Sequence, residues 1–458
     1  MPASGRARRS LGCTIAAGVL AVAATCHALA WPMPFGPATG NRVGTGVGTF
    51  PRWQALALAT AAPIKWLVAL APGRLAAVDG EGSLTIVDVG AAGLSVVSRY
   101  GGVASPDGPP VAVRIDRDQH GVVLVSPDGR LLVWGDGALR AYDVGGPLSS
   151  LTFPAPVALD DRPGNDLLAV AQDGAVVLIS GLAAGGPRAV ARLDARALRD
   201  GRITIADLDG DGLAEAVVLA EATGRFSHGV FGERVEAASV LVLRVRPHGL
   251  ELRARLSLPG AAVFEGRVPL LAAIGGGVQP AVLLARSGAA RGTAPIALSL
   301  REAGLELLAE APAVRSSDGW VHIVGAADLT GDAFPEIVAV AAPDRDGVLT
   351  AYHRRGGALV PVASAAGFAP HAPGSRNLEQ ELIADLDGDG RPEVVLPRRS
   401  RDVLVGLELR GERFVERWAV DFKSPLASNL VAADVDGDGL LDLAVAVRRG
   451  LHVFLSAR

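Results

Sequence analysis

Cysteine is nearly missing from this 458-residue chain: Cys13 and Cys26 are the only two, and both fall in the first thirty residues. The rest of the chain therefore has no internal disulfide, and its stability must come from packing, bound ions or both. Aromatic residues are only 4% of the total, and no basic cluster is interleaved with them, which argues against nucleic-acid binding. Lysine is reduced to Lys65 and Lys423 against a large excess of arginine, a bias of genome more than of function. Beyond the first thirty residues no apolar run is long enough for a membrane-spanning helix. The patterns HExxH, GxSxG and CxxC are absent. The histidines beyond that point (His120, His228, His248, His322, His353, His371 and His452) are scattered. Both features point away from the commonest linear catalytic motifs. His228 and His371, in loop-like stretches, read as the more exposed of these, and His322 and His452 as parts of strands.

What is present is punctuation and short apolar segments. Fifty-seven glycines and thirty prolines interrupt a chain that is 49% hydrophobic. Residues 1–30 read as a secretory signal: Arg6, Arg8 and Arg9 precede the apolar run Leu11 to Thr25, and Ala28-Leu29-Ala30 offers a small-x-small cleavage site. The expected location is therefore secreted, periplasmic or at the cell envelope. Residues 31–50 are rich in Pro and Gly and read as a linker. Within them Gly44, Gly46 and Gly48 form a G-x-G-x-G pattern, but no strand precedes it and no helix follows, so nucleotide binding is a poor reading.

From residue 51 to 458 short apolar runs alternate with turns such as DGEG, SPDG and QDG. IKWLVALA, RLAAVDG, SLTIVDV and LSVVSRY make four strands in about forty residues, a period typical of propeller blades. Two further quartets follow, from VAVRID to ALRAYDV and from APVALD to RAVARLD. One insertion, ATGRFSHGVFGERVEA, is much longer than the other hairpins, and long loops on rigid rings are common binding elements.

The most informative stretch is ADLDGDGLAEAVVLA from Ala206, which returns as ADLTGDAFPEIVAV from Ala327, ADLDGDGRPEVVLP from Ala384 and ADVDGDGLLDLAVAV from Ala433. Oxygen-bearing side chains fall at positions 1, 3, 5 and 9 of each loop, a pattern suited to a hard cation such as calcium, with the carbonyl of position 7 completing the shell. The candidate ligands are Asp207, Asp209, Asp211, Leu213 and Glu215; Asp328, Thr330, Asp332, Phe334 and Glu336; Asp385, Asp387, Asp389, Arg391 and Glu393; and Asp434, Asp436, Asp438, Leu440 and Asp442. In the second copy Thr330 and Ala333 stand at positions 3 and 6, which makes it the weakest of the four. Gly at position 6 of the others suits a positive φ at the sharp turn.

Spacing gives the blade count. Asp328, Asp385 and Asp434 lie 57 and 49 residues apart, whereas Asp207 to Asp328 spans 121 and conceals one blade in which Gly275 to Gly277 replace the acids. Asp160 and Asp116 continue the series backwards as degenerate copies, and a unit near Lys65 brings the total to eight, or seven if that unit is irregular. Too few residues follow Asp434 for four strands. A segment near Phe50 to Leu58 is therefore expected to close the ring, since an open one leaves unpaired edges.

These loops resemble the FG-GAP/VCBS repeat family, whose blades build β-propellers such as the integrin α-subunit head. The resemblance implies an all-β propeller with calcium in the loops, acting as an adhesion-type scaffold for an unidentified protein or glycan at the cell envelope. A secreted carbohydrate-active enzyme of the polysaccharide-lyase kind is the alternative; an Arg, His and Tyr cluster at one mouth of the ring would favour it.

Overall fold

In the computed structural model the described residues are 39–457, apart from 117–118, 160–161, 184–185, 227–228, 276–278, 290 and 315–318. Residues 1–38, with the expected signal and cleavage site, lie outside them, as do His228, Asp160, Gly276 and Gly277. Every regular element among the described residues is a strand.

The strands form eight successive four-stranded antiparallel units, here called blades 1 to 8. Blade 1 begins with Ile64–Ala71 and ends with Gly93–Tyr100, and blade 2 runs from Val111–Asp116 to Ala138–Tyr142. Blade 3 spans Ala155–Leu159 to Arg188–Leu193, and blade 4 spans Thr204–Ala206 to Gly249–Ser257. Blade 5, from Val263–Ala272 to Gly304–Glu310, is the unit without loop acids that lies between acidic blades. Blades 6 and 7 run from Val321–Ala327 to Ala358–Ala365 and from Leu382–Asp385 to Arg413–Asp421. Blades 4, 5 and 6 are tied edgewise by the single pairings Ala237↔Phe264 and Glu310↔Ala358.

Blade 8 is composite. Val431–Ala433, Asp442–Val447 and Gly450–Ser456 come from the C-terminus, and Trp53–Ala59 pairs with the last of these from Trp53↔Ser456 to Ala59↔Gly450. The fourth strand is thus supplied by the N-terminal segment. An apolar cluster fills each gap between successive blades, and the one joining blades 8 and 1 contains Leu56, Leu67, Leu75, Val445's neighbours Ala444 and Ala446, and Leu451. This closes the series into a ring. Since both faces of a blade are covered, its second strand is apolar without alternation, as in Glu393–Pro397, which is buried throughout. Outermost strands face water on one side and carry charge, as in RFVERWAVD.

The linker expectation for residues 31–50 does not hold for the part that is described. Val43–Val47 is a strand lying parallel to Leu382–Asp385, the innermost strand of blade 7. The amide of Ile383 donates to the Arg42 carbonyl, the amide of Leu271 donates to the Thr39 carbonyl, and the side chain of Asn41 holds both the amide and the carbonyl of Ala326. The segment therefore runs along the inner edge of the ring. It then crosses outward between blades 7 and 8, where Phe50 packs against Trp53, Trp418 and Phe454. The G-x-G-x-G pattern is explained by this path. A Cβ on Gly44 would lie 2.9 Å from that of Ala384, and one on Gly48 would lie 2.4 Å from the Leu386 carbonyl oxygen.

Candidate metal centres

Each acidic loop joins the first and second strands of its blade, in blades 4, 6, 7 and 8. All four have one internal geometry. The position-1 carboxylate accepts from the amides of positions 4 and 6: Gly210 and Gly212 onto Asp207, Gly331 and Ala333 onto Asp328, Gly388 and Gly390 onto Asp385, Gly437 and Gly439 onto Asp434, all at 2.7–3.0 Å. The position-9 carboxylate reaches back to the amide of position 2: Leu208 to Glu215, Leu329 to Glu336, Leu386 to Glu393 and Val435 to Asp442, at 2.8–3.0 Å. The position-5 carboxylate caps the amide of position 7, which belongs to Leu213, Phe334, Arg391 or Leu440. Positions 4 and 6 both adopt positive φ, and at Ala333 (φ 68°) a side chain bears a conformation that glycine takes elsewhere.

Because each loop folds around its carboxylates, one oxygen of most acids is used by backbone amides and the other faces its neighbours. Ligand atoms of Asp385, Asp387, Asp389 and Glu393 come within 4.8 Å of one another, as do those of Asp207, Asp209 and Glu215, and of Asp434, Asp436 and Asp442. Asp211 and Asp438 stand outside those close groups. In blade 6 the group is Asp332, Glu336 and His353, so Asp328 is set apart from it and a histidine joins it. His353 Nδ1 lies 3.1 Å from Glu336 Oε1, and Thr330 Oγ1 donates to the same oxygen at 3.2 Å.

The electrostatics of these groups favour a cation. Glu215 and Glu393 are fully buried, and Oε1 of each has no hydrogen-bond partner. A buried carboxylate oxygen without a donor is costly unless a proton or an ion supplies the missing charge. Burial, reinforced by the neighbouring aspartates, pushes the Glu393 carboxyl up to about 9 and that of Glu215 up to about 6. Burial likewise raises Asp442 to about 7, against the pull of the Ser456 and Val435 amides. The residues present therefore fit a hard divalent ion most closely in blades 4 and 7.

Several participants were invisible in the loop motif. The hairpin register places Arg244 opposite Glu215, and the same ladder in blades 6 and 7 sets His353 opposite Glu336 and Glu408 opposite Glu393. Reading them from sequence would have required the pairing of the second and third strands to one-residue accuracy.

A second polar cluster sits at the opposite end of the blades, where the linkers between blades and the long insertion lie. Arg42 and Arg202 both pair with Glu379, and His322 Nε2 lies 3.0 Å from Glu381 Oε1. Arg267 pairs with Asp200 and Glu236, each at 2.9 Å, and Arg376 joins Asp200 to Glu233 of the insertion. Burial works against the Arg267 charge, yet Asp200 and Glu236 outweigh it and hold the guanidinium above its ordinary value. Phe231 of the insertion is fully buried beside Trp320 and His371. His371, expected to be exposed, is only 3% accessible, and burial pushes its imidazole down to about 4. The insertion therefore docks onto the ring through Phe231.

Comparison with known proteins agrees with this architecture. Residues 385–445, which include the loops at Asp385 and Asp434, match the FG-GAP-like repeat family. A quinohemoprotein alcohol dehydrogenase from Pseudomonas putida HK5 superposes with a TM-score of 0.55 at 11% identity, over 93% of this chain and 81% of that one. Its counterpart from Comamonas testosteroni gives 0.54 at 10%, over 94% and 82%. Saccharomyces cerevisiae Sqt1 gives 0.53 at 10%, over 90% of this chain and all of that one. At such identities the likeness is one of fold alone. With the loop pattern recurring in four of the eight blades, the chain is a β-propeller that carries FG-GAP-like repeat sequence at residues 385–445.

Proposed function

We propose that this propeller is a calcium-stabilised binding scaffold, exported from the cell and presenting its ring to a protein or glycan at the envelope. The observation that carries the calcium reading is the pair of buried oxygens without a hydrogen-bond donor, Glu215 Oε1 and Glu393 Oε1, on anchors whose carboxylates group with other acids of the same loop. Asp385, Asp387, Asp389 and Glu393 would hold the ion in blade 7; Asp207, Asp209 and Glu215 in blade 4; Asp434, Asp436 and Asp442 in blade 8. The ion would neutralise the acids and fix the hairpin. Extracellular sites bind calcium with dissociation constants on the order of 10⁻⁴ to 10⁻³ M, and at ten times that value each would add about 1.4 kcal/mol to the folded state. Three such sites would matter against a typical total of about 5–15 kcal/mol.

Support for binding rather than catalysis comes from the second face. Its Arg groups and His322 are paired with acids, His371 is buried against the Ser375 carbonyl, and Arg267 is among the most enclosed. A lyase-like site needs such groups open to a sugar chain. Two measurements test the reading. Chelation should lower the melting temperature by several degrees, with calcium restoring it; an unchanged melt sinks structural calcium. A glycan array and affinity capture from envelope extract, each with and without calcium, should return a calcium-dependent ligand, whereas turnover of an acidic polysaccharide would move the assignment to the enzyme.

A further inference from the structure

In six of the blades the outermost hairpin contains a β-bulge, one residue further along the ladder from the site opposite the loop anchor. The register shifts leave one extra residue on the outer strand: Val97, Val190, Arg253, Leu308, Val362 and Arg417 in blades 1, 3, 4, 5, 6 and 7. Four of the six are aliphatic. The two arginines occur in blades 4 and 7, which also carry a full set of loop acids. Blade 8 has a full set as well, but its outer strand comes from the N-terminal segment and pairs in unbroken register, with no bulge. A bulge re-aims the side chain it carries, and here it turns each arginine toward a metal loop.

The contacts of those arginines decide what they do. In blade 7, Oδ1 of Asp387 and of Asp389 accepts a loop amide. Arg417 takes the oxygens left over: its Nε donates to Asp387 Oδ2 at 2.8 Å and its terminal nitrogen to Asp389 Oδ2 at 3.3 Å. Blade 4 repeats the division. Asp209 Oδ1 and Asp211 Oδ1 accept amides, whereas Asp209 Oδ2 lies 3.3 Å from Arg244 and 3.8 Å from Arg253. The guanidinium groups thus sit on the atoms that a cation bound by positions 3 and 5 must use. Meanwhile the anchor oxygens, Glu215 Oε1 and Glu393 Oε1, stay buried without a donor. A planar guanidinium can bridge two carboxylates, and in blade 4 Arg244 Nε comes only to 3.9 Å of the anchor oxygen Glu215 Oε1, outside hydrogen-bond reach.

We propose that Arg417 in blade 7, and Arg253 with Arg244 in blade 4, are built-in counter-cations that a divalent ion must displace to bind those loops. This rests on the cation reading given above. Arginine holds the acids together when calcium is scarce, so these hairpins keep their shape without the ion. The cost is weaker binding, since part of the ion's attraction is spent on evicting a positive charge. Displacement also frees a guanidinium beside the loop each time an ion enters.

Calcium titration calorimetry of the full chain, paired with thermal melts in chelator, tests this on Arg417→Gln and Arg417→Lys. Arg417→Gln should tighten one calcium step by about tenfold, inside the roughly 5- to 150-fold range usual for coupling between two ligands. It should also lower the melting temperature in chelator, and Arg417→Lys, a point charge without the fork, should fall between it and the wild type. Calcium binding that is unchanged or weaker in Arg417→Gln, with a folded protein, overturns the displacement and leaves the cation sites standing. No calcium binding to the wild type or to either variant removes the sites themselves, and the inference with them.

Discussion

Blades 1 to 3 and blades 4, 6, 7 and 8 build the same four-stranded sheet around different hairpins. In blade 1 the first two strands are joined by Pro72 and Gly73 alone, with Gly73 at φ 81°. In blade 4 the equivalent connection takes residues 207–214, with Asp207 as its hydrogen-bonding hub. Yet the apolar cluster between blades 1 and 2, with Trp66, Leu84, Ile86, Leu124 and Trp134, is as continuous as the one between blades 6 and 7. The sheet is therefore carried by packing between blades, and the acidic loop is a second layer added at one end. Blade 5 makes the same point from inside the acidic half, since it lacks the loop acids and keeps both neighbours.

The largest expected effect breaks the ring and spares every loop. Deleting residues 450–458 removes the strand Gly450–Ser456, to which Trp53–Ala59 is paired, and so opens blade 8 on both sides. The truncated chain should lose its cooperative melt and aggregate through exposed edges, with or without calcium; a soluble, cooperatively folding product would refute closure by that strand. Next come matched core substitutions. Leu124→Ala in blade 2 and Leu396→Ala in blade 7, both fully buried, should each cost about 2–5 kcal/mol in urea melts. If packing alone carries the sheets, the two losses will be similar and insensitive to chelator; a much smaller cost in the acidic half would mean that its loops share the load.

A pH series separates the halves differently. The carboxyls of Glu215, Asp442 and Glu393 stand above their unfolded values, at about 6, 7 and 9. Each of these carboxyls thus holds more protons folded than unfolded, and its contribution to stability falls as pH rises toward its folded value. Glu236, raised to about 7, adds to the fall, and His371, lowered to about 4, opposes it in the acid part of the range. In chelator the melting temperature should decline from pH 5 to pH 9, and saturating calcium should flatten or reverse the slope by favouring the ionised forms. A chelator profile that rises instead would show these carboxyls to be ionised and well paired without any ion. The smallest effect is at Ala333, whose left-handed backbone costs about 1 kcal/mol relative to glycine. Ala333→Gly should raise the melting temperature by about a degree or two and bring the blade 6 loop closer to its three counterparts.

Much of this was legible in the chain. Short apolar runs between Gly, Asp and Pro turns marked the strands, and the recurrence of Asp207, Asp328, Asp385 and Asp434 set the blade spacing. Blade 5 was legible as a gap of the right length. The shortage of residues after Asp434 called for a strand from the N-terminus, and Trp53–Ala59 supplies it. The reading of residues 39–50 as linker failed because glycine-rich composition marks both a loose chain and one squeezed between backbones; only the neighbours Ala384 and Leu386 distinguish them. His371 looked exposed for a similar reason, as its burial depends on Phe231, 140 positions earlier in sequence.

Local chemistry by itself determined the hairpins, since each acid at positions 1, 5 and 9 finds its amide within the same nine-residue loop. It also determined the sheets' hydrophobicity and the spacing of the acidic repeats. Tertiary structure alone decided the charge around each loop: Arg244, His353, Glu408 and Arg417 reach the acids from other strands, through register and bulges that no short window of sequence encodes. Contacts within a turn are fixed by a few adjacent torsions, whereas contacts across a sheet depend on where whole strands come to rest.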